Sequence, residues 1–458
     1  MIEQTHKVLL SDFINKPLPY EIIIKLENTT ITEREINNRF KPFIKSAGKI
    51  YPDYPGSEYS FDYKEINPGI PEEDYYHRYV DAPVSYLDPA KGSFKLYYEL
   101  CSDYDESKPT IIIPTDGQRS LSQVGWADKY KEMFSLDYNT VTYEYRGMYA
   151  SKIPLVENKN TNWNTLYEIL NSDNVIEDIE LIRKDLPGNK PVYILGGSGT
   201  AMMGLKYISR YHQNIKRAFL MSFFKDAKGS SEAGVIYFNN FLKDNNLTEK
   251  FRSIYQNHKI DIKQTLFLIQ RLLYYDKDIV KDLISELSEG SFDLFEKYSK
   301  QLGSVEFFIR SVRKYKPWTV IFMYETNINT SLNNMPDINY PFLKMAEPVH
   351  DYYSNNHISK PPLFKIDIPG GIQTETLLVA GTLDQVAPIH EMLRIFNDLP
   401  GSELAIFEAY HCLQSPEESR ICRNNLANIF FKTGKRSPEM TDYLKTHGSK
   451  CNFIKFKE

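Results

Sequence analysis

This sequence lacks three features that would each indicate a particular function: a long apolar run, an excess of positive charge and closely spaced cysteines. No stretch approaches the ~20 apolar residues of a membrane span, so we predict none. The N-terminus has no basic segment followed by an apolar one, so we predict no signal peptide in this sequence. A formal net charge of −5 gives no electrostatic reason to expect nucleic acid as a partner. The four cysteines show no CxxC or Cys/His spacing, so we predict no metal site.

What the sequence does contain is a regular alternation of strand and helix patterns along 458 residues. Apolar or alternating runs typical of strands occur at 77–82, 92–100, 110–114, 139–145, 191–195, 217–221, 375–380 and 403–407. Helical spacing of apolar residues occurs at 174–186, 201–211, 389–399 and 417–431. This alternation predicts an α/β fold with a doubly wound, mostly parallel sheet.

The sequence divides into four predicted regions. Residues 1–76 are a polar N-terminal extension with a short helix around 31–45, and 77–224 form the first part of the α/β core. Residues 225–364 show helical periodicity and are predicted to be an inserted helical cap. Residues 365–458 complete the core and end in a polar tail that we expect to break helices.

The strongest motif is the sequence VYILGGSGTAMMGLKY, which covers residues 192–207. An apolar strand is followed by the tight turn Gly196-Gly197-Ser198-Gly199-Thr200 and then by a helix. This order is typical of a nucleophile elbow, in which a strained turn exposes a serine hydroxyl at the edge of a sheet. A simple turn or a phosphate-binding loop is the alternative.

Two further residues follow predicted strands downstream of the cap. Asp384 comes after the strand at 375–380, and His411 comes after the strand at 403–407. The carboxyl ends of parallel strands meet at one edge of a sheet, so both residues should lie near Ser198. An Asp or His in such a place is more often a helix cap or a surface residue, but the order Ser, Asp, His together with the elbow favours a catalytic triad.

Acyl transfer also requires hydrogen-bond donors for the developing oxyanion. We predict that the N–H of Gly199 is one donor and that the N–H of Gly117 is the other. Gly117 lies in the loop Thr115-Asp116-Gly117-Gln118-Arg119 after the strand at 110–114. An ordinary loop glycine is the alternative. A carboxylate at Asp116 would be electrostatically unfavourable beside an oxyanion unless its side chain points away.

Four segments together resemble one family of serine peptidases. Tyr145-Arg146-Gly147 followed by Ser151 is similar to the D-x-R-G-x-G-x-S turn of proline iminopeptidases and tripeptidyl aminopeptidases. LGGSGTAMMGLKYISRYH is similar to their elbow, and VDAPVSYLDPAKGSFKLYYEL is similar to the hairpin that opens the tripeptidyl type. The tail RICRNNLANIFFKTGKRSPEMTDYLKTHGSKC resembles their C-terminal segment. The resemblance covers roughly residues 78–458 and implies the α/β-hydrolase fold.

The resemblance implies Ser198 as nucleophile, Asp384 as acid and His411 as base. It also implies a Cys422–Cys451 disulfide and hence a secreted or periplasmic protein, with a cytoplasmic location as the alternative. The sequence departs from the family where T-D-G-Q-R stands in place of its oxyanion loop HGGPG and where Thr200 stands in place of a glycine.

An aminopeptidase must also bind a free α-ammonium group, which requires carboxylates at the rim of the site. The first candidate is Glu325, in the strand-like segment TVIFMYETN, and the second is Glu347, in MAEPVHDYY. Both lie in the predicted cap.

We therefore predict a serine hydrolase that removes amino acids or short peptides from peptide N-termini and needs no metal or organic cofactor. An esterase, thioesterase or carbon–carbon bond hydrolase acting on a small molecule is the first alternative, and a non-catalytic binding protein is the second. For the hydrolase, we expect the binding partner to be a peptide or a small acyl substrate. The sequence does not indicate an oligomeric state.

Overall fold

The computed structural model describes residues 70–117, 123–158, 160–188, 191–226, 237–257, 260–274, 276–302, 317–326, 364, 366–372 and 374–457. The helix predicted around 31–45 and the candidate Glu347 lie outside the described residues.

In the described part of the chain, nine strands form one sheet. They are β1 (His77–Pro83), β2 (Ser93–Leu100), β3 (Thr110–Ile112), β4 (Asn139–Tyr143), β5 (Val192–Gly197), β6 (Ile215–Met221), β7 (Glu375–Gly381), β8 (Ser402–Phe407) and β9 (Phe453–Lys457). Their order across the sheet is β1-β2-β4-β3-β5-β6-β7-β8-β9. The six strands from β4 to β8 in this order are mutually parallel, whereas β1, β2 and β9 join through antiparallel pairs. The structure thus confirms the predicted mostly parallel α/β sheet.

Helices of eight or more residues connect and cover these strands. Before the cap they are α1 (Trp126–Phe134), α2 (Trp163–Leu170), α3 (Ser172–Asp185) and α4 (Gly199–Tyr211). The cap region contains α5 (Thr248–Gln256), α6 (Ile262–Leu272), α7 (Lys277–Glu289), α8 (Asp293–Leu302) and α9 (Pro317–Glu325). After the cap follow α10 (Ile389–Asp398), α11 (Glu417–Thr433) and α12 (Pro438–His447). Shorter helical turns lie at Pro89–Lys91, Tyr149–Ser151, Pro154–Glu157, His212–Asn214 and His411–Leu413.

Polar residues fix where several helices begin. The side chain of Asn171 accepts a hydrogen bond from the N–H of Asn174 at the start of α3, and Asp261 does the same for Gln264 at the start of α6. Such caps satisfy backbone donors that the helix itself leaves unpaired. These helix starts are therefore set locally by the sequence.

Apolar side chains form three buried clusters. One face of the sheet packs against α3, α4, α10 and the cap helix α9, and the other face packs against α1, α11 and α12. The remaining cap helices bury a cluster of their own, between Phe238 and Leu302. Helix α9 therefore belongs to the core that surrounds the sheet, although its sequence position places it in the predicted cap.

Two local predictions were wrong. The C-terminal tail forms α12 and β9, because Pro438 occupies the first turn of the helix and the side chain of Ser437 accepts a hydrogen bond from the N–H of Met440. Proline is tolerated there because the first helical N–H groups lack partners in any case. The strand-like segment TVIFMYETN instead lies largely within α9. Within the described residues, no helix is both long and apolar enough to cross a membrane.

Candidate active site

The three predicted triad residues follow three parallel strands at the same edge of the sheet. Ser198 follows β5, Asp384 follows β7 and His411 follows β8, and these strands are neighbours apart from the intervening β6. The carboxyl edge of such a sheet is where loops converge on a ligand.

Ser198 sits on a strained turn between β5 and α4. Its φ and ψ angles are 55° and −128°, a conformation that few residues other than glycine adopt. Its N–H donates to the carbonyl of Met221 at 2.9 Å. A Cβ at Gly196 would lie 2.8 Å from the backbone of Ala201, so the turn requires glycine there. Ser198 itself remains half-buried, and this geometry is that of a nucleophile elbow.

Thr200 stands at the last position of the G-x-S-x-G elbow motif, and its hydroxyl supports the turn. Its Oγ1 lies 2.8 Å from both the N–H and the carbonyl oxygen of Gly197, accepting from the first and donating to the second. The threonine therefore closes the elbow with its own side chain.

His411 and Asp384 form a buried pair. His411 Nδ1 lies 3.0 Å from Asp384 Oδ1 and 2.9 Å from its Oδ2, and the two residues are 3% and 1% exposed. Asp384 Oδ1 also accepts from the N–H groups of Val386 and Ala387, which fix the carboxylate. This arrangement orients the imidazole with Nδ1 toward the acid.

The environment of His411 favours a charged imidazole. Burial by itself lowers the pKa of His411, but the adjacent Asp384 carboxylate outweighs burial and holds that pKa well above its usual range. His411 Nε2 is buried without a hydrogen-bond partner among the described residues. No hydrogen bond joins this nitrogen to Ser198 Oγ in the described part of the chain, so the Ser198–His411 contact of a triad stays a prediction.

Residues of the cap region cover this pair. The ring of Tyr274 meets the His411 imidazole edge to face, with centroids 5.0 Å apart. The N–H of Lys277 donates to the hydroxyl of Tyr410 at 3.0 Å, next to His411 in the sequence. Burial and the Asp384 charge raise the pKa of Tyr237. These residues of the cap region thus shield the base from water. The contacts join segments that are distant in the chain, and the sequence offers no signal for them.

The two predicted oxyanion donors have crowded surroundings. A Cβ at Gly117 would lie 2.9 Å from the carbonyl oxygen of Trp318 and still closer to the side chain of Phe322, both in α9. A Cβ at Gly199 would lie 2.8 Å from Asp116 Cγ and closer still to Asp116 Oδ2. The Asp116 side chain therefore does not point away from this donor, because its carboxylate packs on Gly199.

The Arg-Gly turn after β4 has a structural role. Arg146 is fully buried, and its guanidinium donates to both carboxylate oxygens of Asp178, at 2.7 and 2.8 Å. It also donates to the carbonyls of Pro83, Val84 and Ile169. One side chain thus joins the end of β1, the end of α2 and helix α3 behind the site.

Glu325 lies inside the core. It is 2% exposed, and its two carboxylate oxygens accept from the N–H of Ser172 at 2.7 Å and from the Ser172 hydroxyl at 3.1 Å. Burial raises its pKa to about 7, against the opposing effect of Lys206. In this structure Glu325 joins α9 to the start of α3, and binding of a substrate amino group by this residue stays a prediction.

Cys422 and Cys451 are buried free thiols in this structure, as are the other two cysteines, so the predicted disulfide is not formed. The two lie next to each other: burial first, and then the neighbouring Cys451 thiol, raise the pKa of Cys422. The contact agrees with the predicted pairing, although the bond itself is absent. Among the described residues, no group of three or more His, Cys, Asp or Glu is arranged to hold a metal.

A family model described as "alpha/beta hydrolase fold" matches residues 124–418. With the sheet and the elbow, this match defines the class: the chain belongs to the alpha/beta hydrolase family of enzymes. A search of curated proteins finds no match.

Three solved structures are similar to this chain in fold. A hydrolase from Pseudomonas aeruginosa PA01 is 13% identical with a TM-score of 0.39, over 78% of this chain and 99% of that one. A bromoperoxidase from Bacillus anthracis is 15% identical with a TM-score of 0.39, over 78% and 100%. A meta-cleavage product hydrolase from Pseudomonas fluorescens IP01 is 16% identical with a TM-score of 0.38, over 74% and 94%. At this level of similarity they do not bear on the substrate.

Proposed function

We propose that this enzyme is a serine hydrolase that removes amino acids or short peptides from the N-termini of peptides through an acyl-enzyme. The observation that carries the proposal is the buried His411–Asp384 pair at the sheet edge where Ser198 occupies a nucleophile elbow. The choice of a peptide substrate rests on the sequence resemblance to aminopeptidases.

The chemistry follows from the roles of the three residues. Ser198 Oγ attacks the scissile carbonyl carbon while His411 Nε2 takes its proton, and Asp384 stabilises the imidazolium that forms. The oxyanion accepts hydrogen bonds from the N–H groups of Gly199 and Gly117. His411 then protonates the leaving amine, and the acyl-enzyme forms.

Hydrolysis of the acyl-enzyme reverses these roles. Water attacks the ester carbonyl while His411 removes its proton, and the protonated imidazole returns that proton to Ser198 Oγ. The contact of Tyr274 with His411 favours these reaction steps, because excluding water strengthens the interaction between the His411 imidazolium and the Asp384 carboxylate.

The direct test is covalent labelling with a fluorophosphonate followed by peptide mapping. We expect label on Ser198 and its loss in Ser198→Ala. Ser209→Ala, in the same helix α4 but at its far end, is the matched control and should label normally. A folded wild-type protein that takes no label at Ser198 would contradict the proposal.

A substrate panel then separates the peptidase from its alternative. Aminoacyl and tripeptidyl aminocoumarin amides report peptidase activity, and short-chain nitrophenyl esters report esterase activity. The aromatic side chains of α9 next to Gly117 are compatible with an apolar acyl group, which is the observation in favour of a small-molecule esterase. Hydrolysis of esters alone by a labelled enzyme would favour that alternative.

A further inference from the structure

The end of β6 lies between the strands that precede Ser198 and Asp384, although β6 itself supplies no residue of the predicted triad. In the sheet, β6 is the neighbour of β5 on one side and of β7 on the other. The carbonyl of Met221, the last residue of β6, accepts from the N–H of Ser198 at 2.9 Å. The N–H of Ser222, in the same peptide unit, donates to the carbonyl of Val379 in β7 at 3.1 Å. One peptide unit thus joins the nucleophile elbow to β7.

The side chain of Ser222 contacts the loop that carries the base. Its Oγ accepts a hydrogen bond from the N–H of Cys412 at 2.8 Å, and Cys412 directly follows His411. Ser222 and Cys412 are both buried, so this N–H depends on the serine oxygen for its hydrogen bond. The N–H of Cys412 and the carbonyl of His411 belong to one planar peptide unit. The Ser222 hydroxyl therefore fixes the backbone immediately after the base.

Both partners of this hydrogen bond have a left-handed backbone. The φ angle is 48° at Ser222 and 53° at Cys412. Residues other than glycine adopt this region at an energetic cost and persist there where the surrounding contacts impose it. Glycine would fit the backbone at position 222 with less strain, but it has no oxygen to accept from Cys412. The contribution of the serine at this position is therefore its hydroxyl.

The end of β6 is a common support for the nucleophile and the base. Met221 holds Ser198 through a backbone carbonyl, and the next residue holds the His411 loop through a side chain. Ser198 and His411 lie on different loops, so their relative position depends on what joins those loops. Displacing reacting groups by about 1 Å can cost a factor of about 100 in rate. Loss of the Ser222 hydroxyl should therefore affect the reaction without any contact with the substrate.

We propose that Ser222 is a positioning residue, whose hydroxyl holds the His411 loop in register with the nucleophile elbow so that His411 Nε2 can accept the proton of Ser198 Oγ. The inference rests on the proposed serine hydrolase function, and it holds for peptide and ester substrates alike. The sequence offers no signal for this role, because Ser222 and Cys412 are 190 positions apart.

Two measurements on Ser222→Gly test the inference. Hydrogen exchange followed by mass spectrometry reports on the Cys412 amide, which should exchange roughly tenfold faster than in wild type because it has lost its acceptor. Fluorophosphonate labelling of Ser198 at several reagent concentrations separates the maximal labelling rate from the reagent affinity. We expect the maximal rate to fall at least roughly tenfold, because proton transfer to His411 is impaired. The reagent affinity should stay within about twofold, because the reagent does not bind through Ser222.

Two further variants separate the hydrogen bond from other effects. Ser135→Gly is the matched control: Ser135 also has a left-handed backbone, with a φ angle of 50°, but it is exposed at the end of α1, so this variant should label as wild type does. Ser222→Ala removes the oxygen without adding the backbone freedom of glycine, and its maximal rate should fall as in Ser222→Gly. Arg423 Nη1 still donates to the Cys412 carbonyl at 3.0 Å, which favours a folded loop in both variants.

Three results would overturn the inference. The first is unchanged exchange of the Cys412 amide in Ser222→Gly, and the second is an unchanged maximal labelling rate despite faster exchange. The third is a rate that falls in Ser222→Gly but not in folded Ser222→Ala, which would assign the effect to backbone freedom. Failure of the proposed function is a different result, because wild type and Ser135→Gly would then take no label either, and the inference would fall with it.

Discussion

Stability should depend on pH through Glu325, and Glu325→Gln should remove that dependence. The carboxyl has a pKa of about 7 in the folded protein against an ordinary value of 4.5, because it is buried between α9 and α3. The folded state therefore holds this proton more tightly than the unfolded state. The stabilisation is fully present below pH 4.5 and is lost as the pH rises through 7.

The magnitude follows from the displacement of the pKa. Each pH unit corresponds to 1.36 kcal/mol, so a displacement from 4.5 to about 7 is worth roughly 3 kcal/mol in the free energy of unfolding. Most of this loss falls between pH 5 and pH 8. The amide that Glu325→Gln introduces retains an oxygen that can accept from Ser172 but has no proton to lose in this range, so its contribution stays constant.

The assay is urea-induced unfolding at pH 5 and pH 8, followed by circular dichroism. Other titrating groups act equally in both proteins, so the change in the free energy of unfolding between pH 5 and pH 8 should be about 2.5 kcal/mol smaller in Glu325→Gln than in wild type. Glu289→Gln, at a largely exposed glutamate of α7, is the control and should behave as wild type. Equal pH dependence in wild type and Glu325→Gln would refute the reasoning.

Three further predictions concern the site and its supports. Hydrolysis needs neutral His411, whose pKa is held well above its usual value by Asp384. In a pH–rate profile, kcat/KM should therefore rise with pH and reach half its maximum above pH 6.5. A half-maximum below pH 6.5 would contradict the geometry of the pair. Arg146→Met leaves Asp178 charged and buried without its partner, so it should lower the free energy of unfolding, measured by urea titration, by about 3–5 kcal/mol. Adding Asp178→Asn to Arg146→Met should restore part of that loss. A mild oxidant should slowly link Cys422 to Cys451, because burial raises the pKa of the Cys422 thiol and a thiol with a raised pKa reacts slowly. The intact mass should fall by two hydrogens, and a cross-link to any other cysteine would count against the observed contact.

The sheet and the placement of Ser198, Asp384 and His411 at one of its edges could be predicted because their signals are local. Continuous apolar runs such as 110–113 and 192–195 lie in central strands, and Ser198, Asp384 and His411 each follow the end of a strand. Parallel strands bring such ends together whatever the loops contain. The positions of all three residues therefore depended only on strand assignment and order.

What could not be predicted depends on contacts between distant segments. Whether Asp116 points toward Gly199 or away is decided by packing between residues about 80 positions apart. The burial of Glu325 depends on Ser172 in another helix. The C-terminal tail was misread for another reason: Pro438 is compatible with a helix only at its first turn, and the sequence pattern did not distinguish that position from a helix interior.

The close approach of α9 to Gly117 has a consequence for attempts to change this enzyme by mutagenesis. Any side chain at position 117 meets the backbone at Trp318 and the side chain of Phe322, so a library that randomises position 117 alone should return only glycine. A smaller side chain at position 322 does not relieve the clash, because its Cβ and the Trp318 carbonyl oxygen, 2.9 Å away, both remain. Position 117 therefore accepts a side chain only if α9 itself moves away from the loop, so the helix and its connections must be changed together with residue 117.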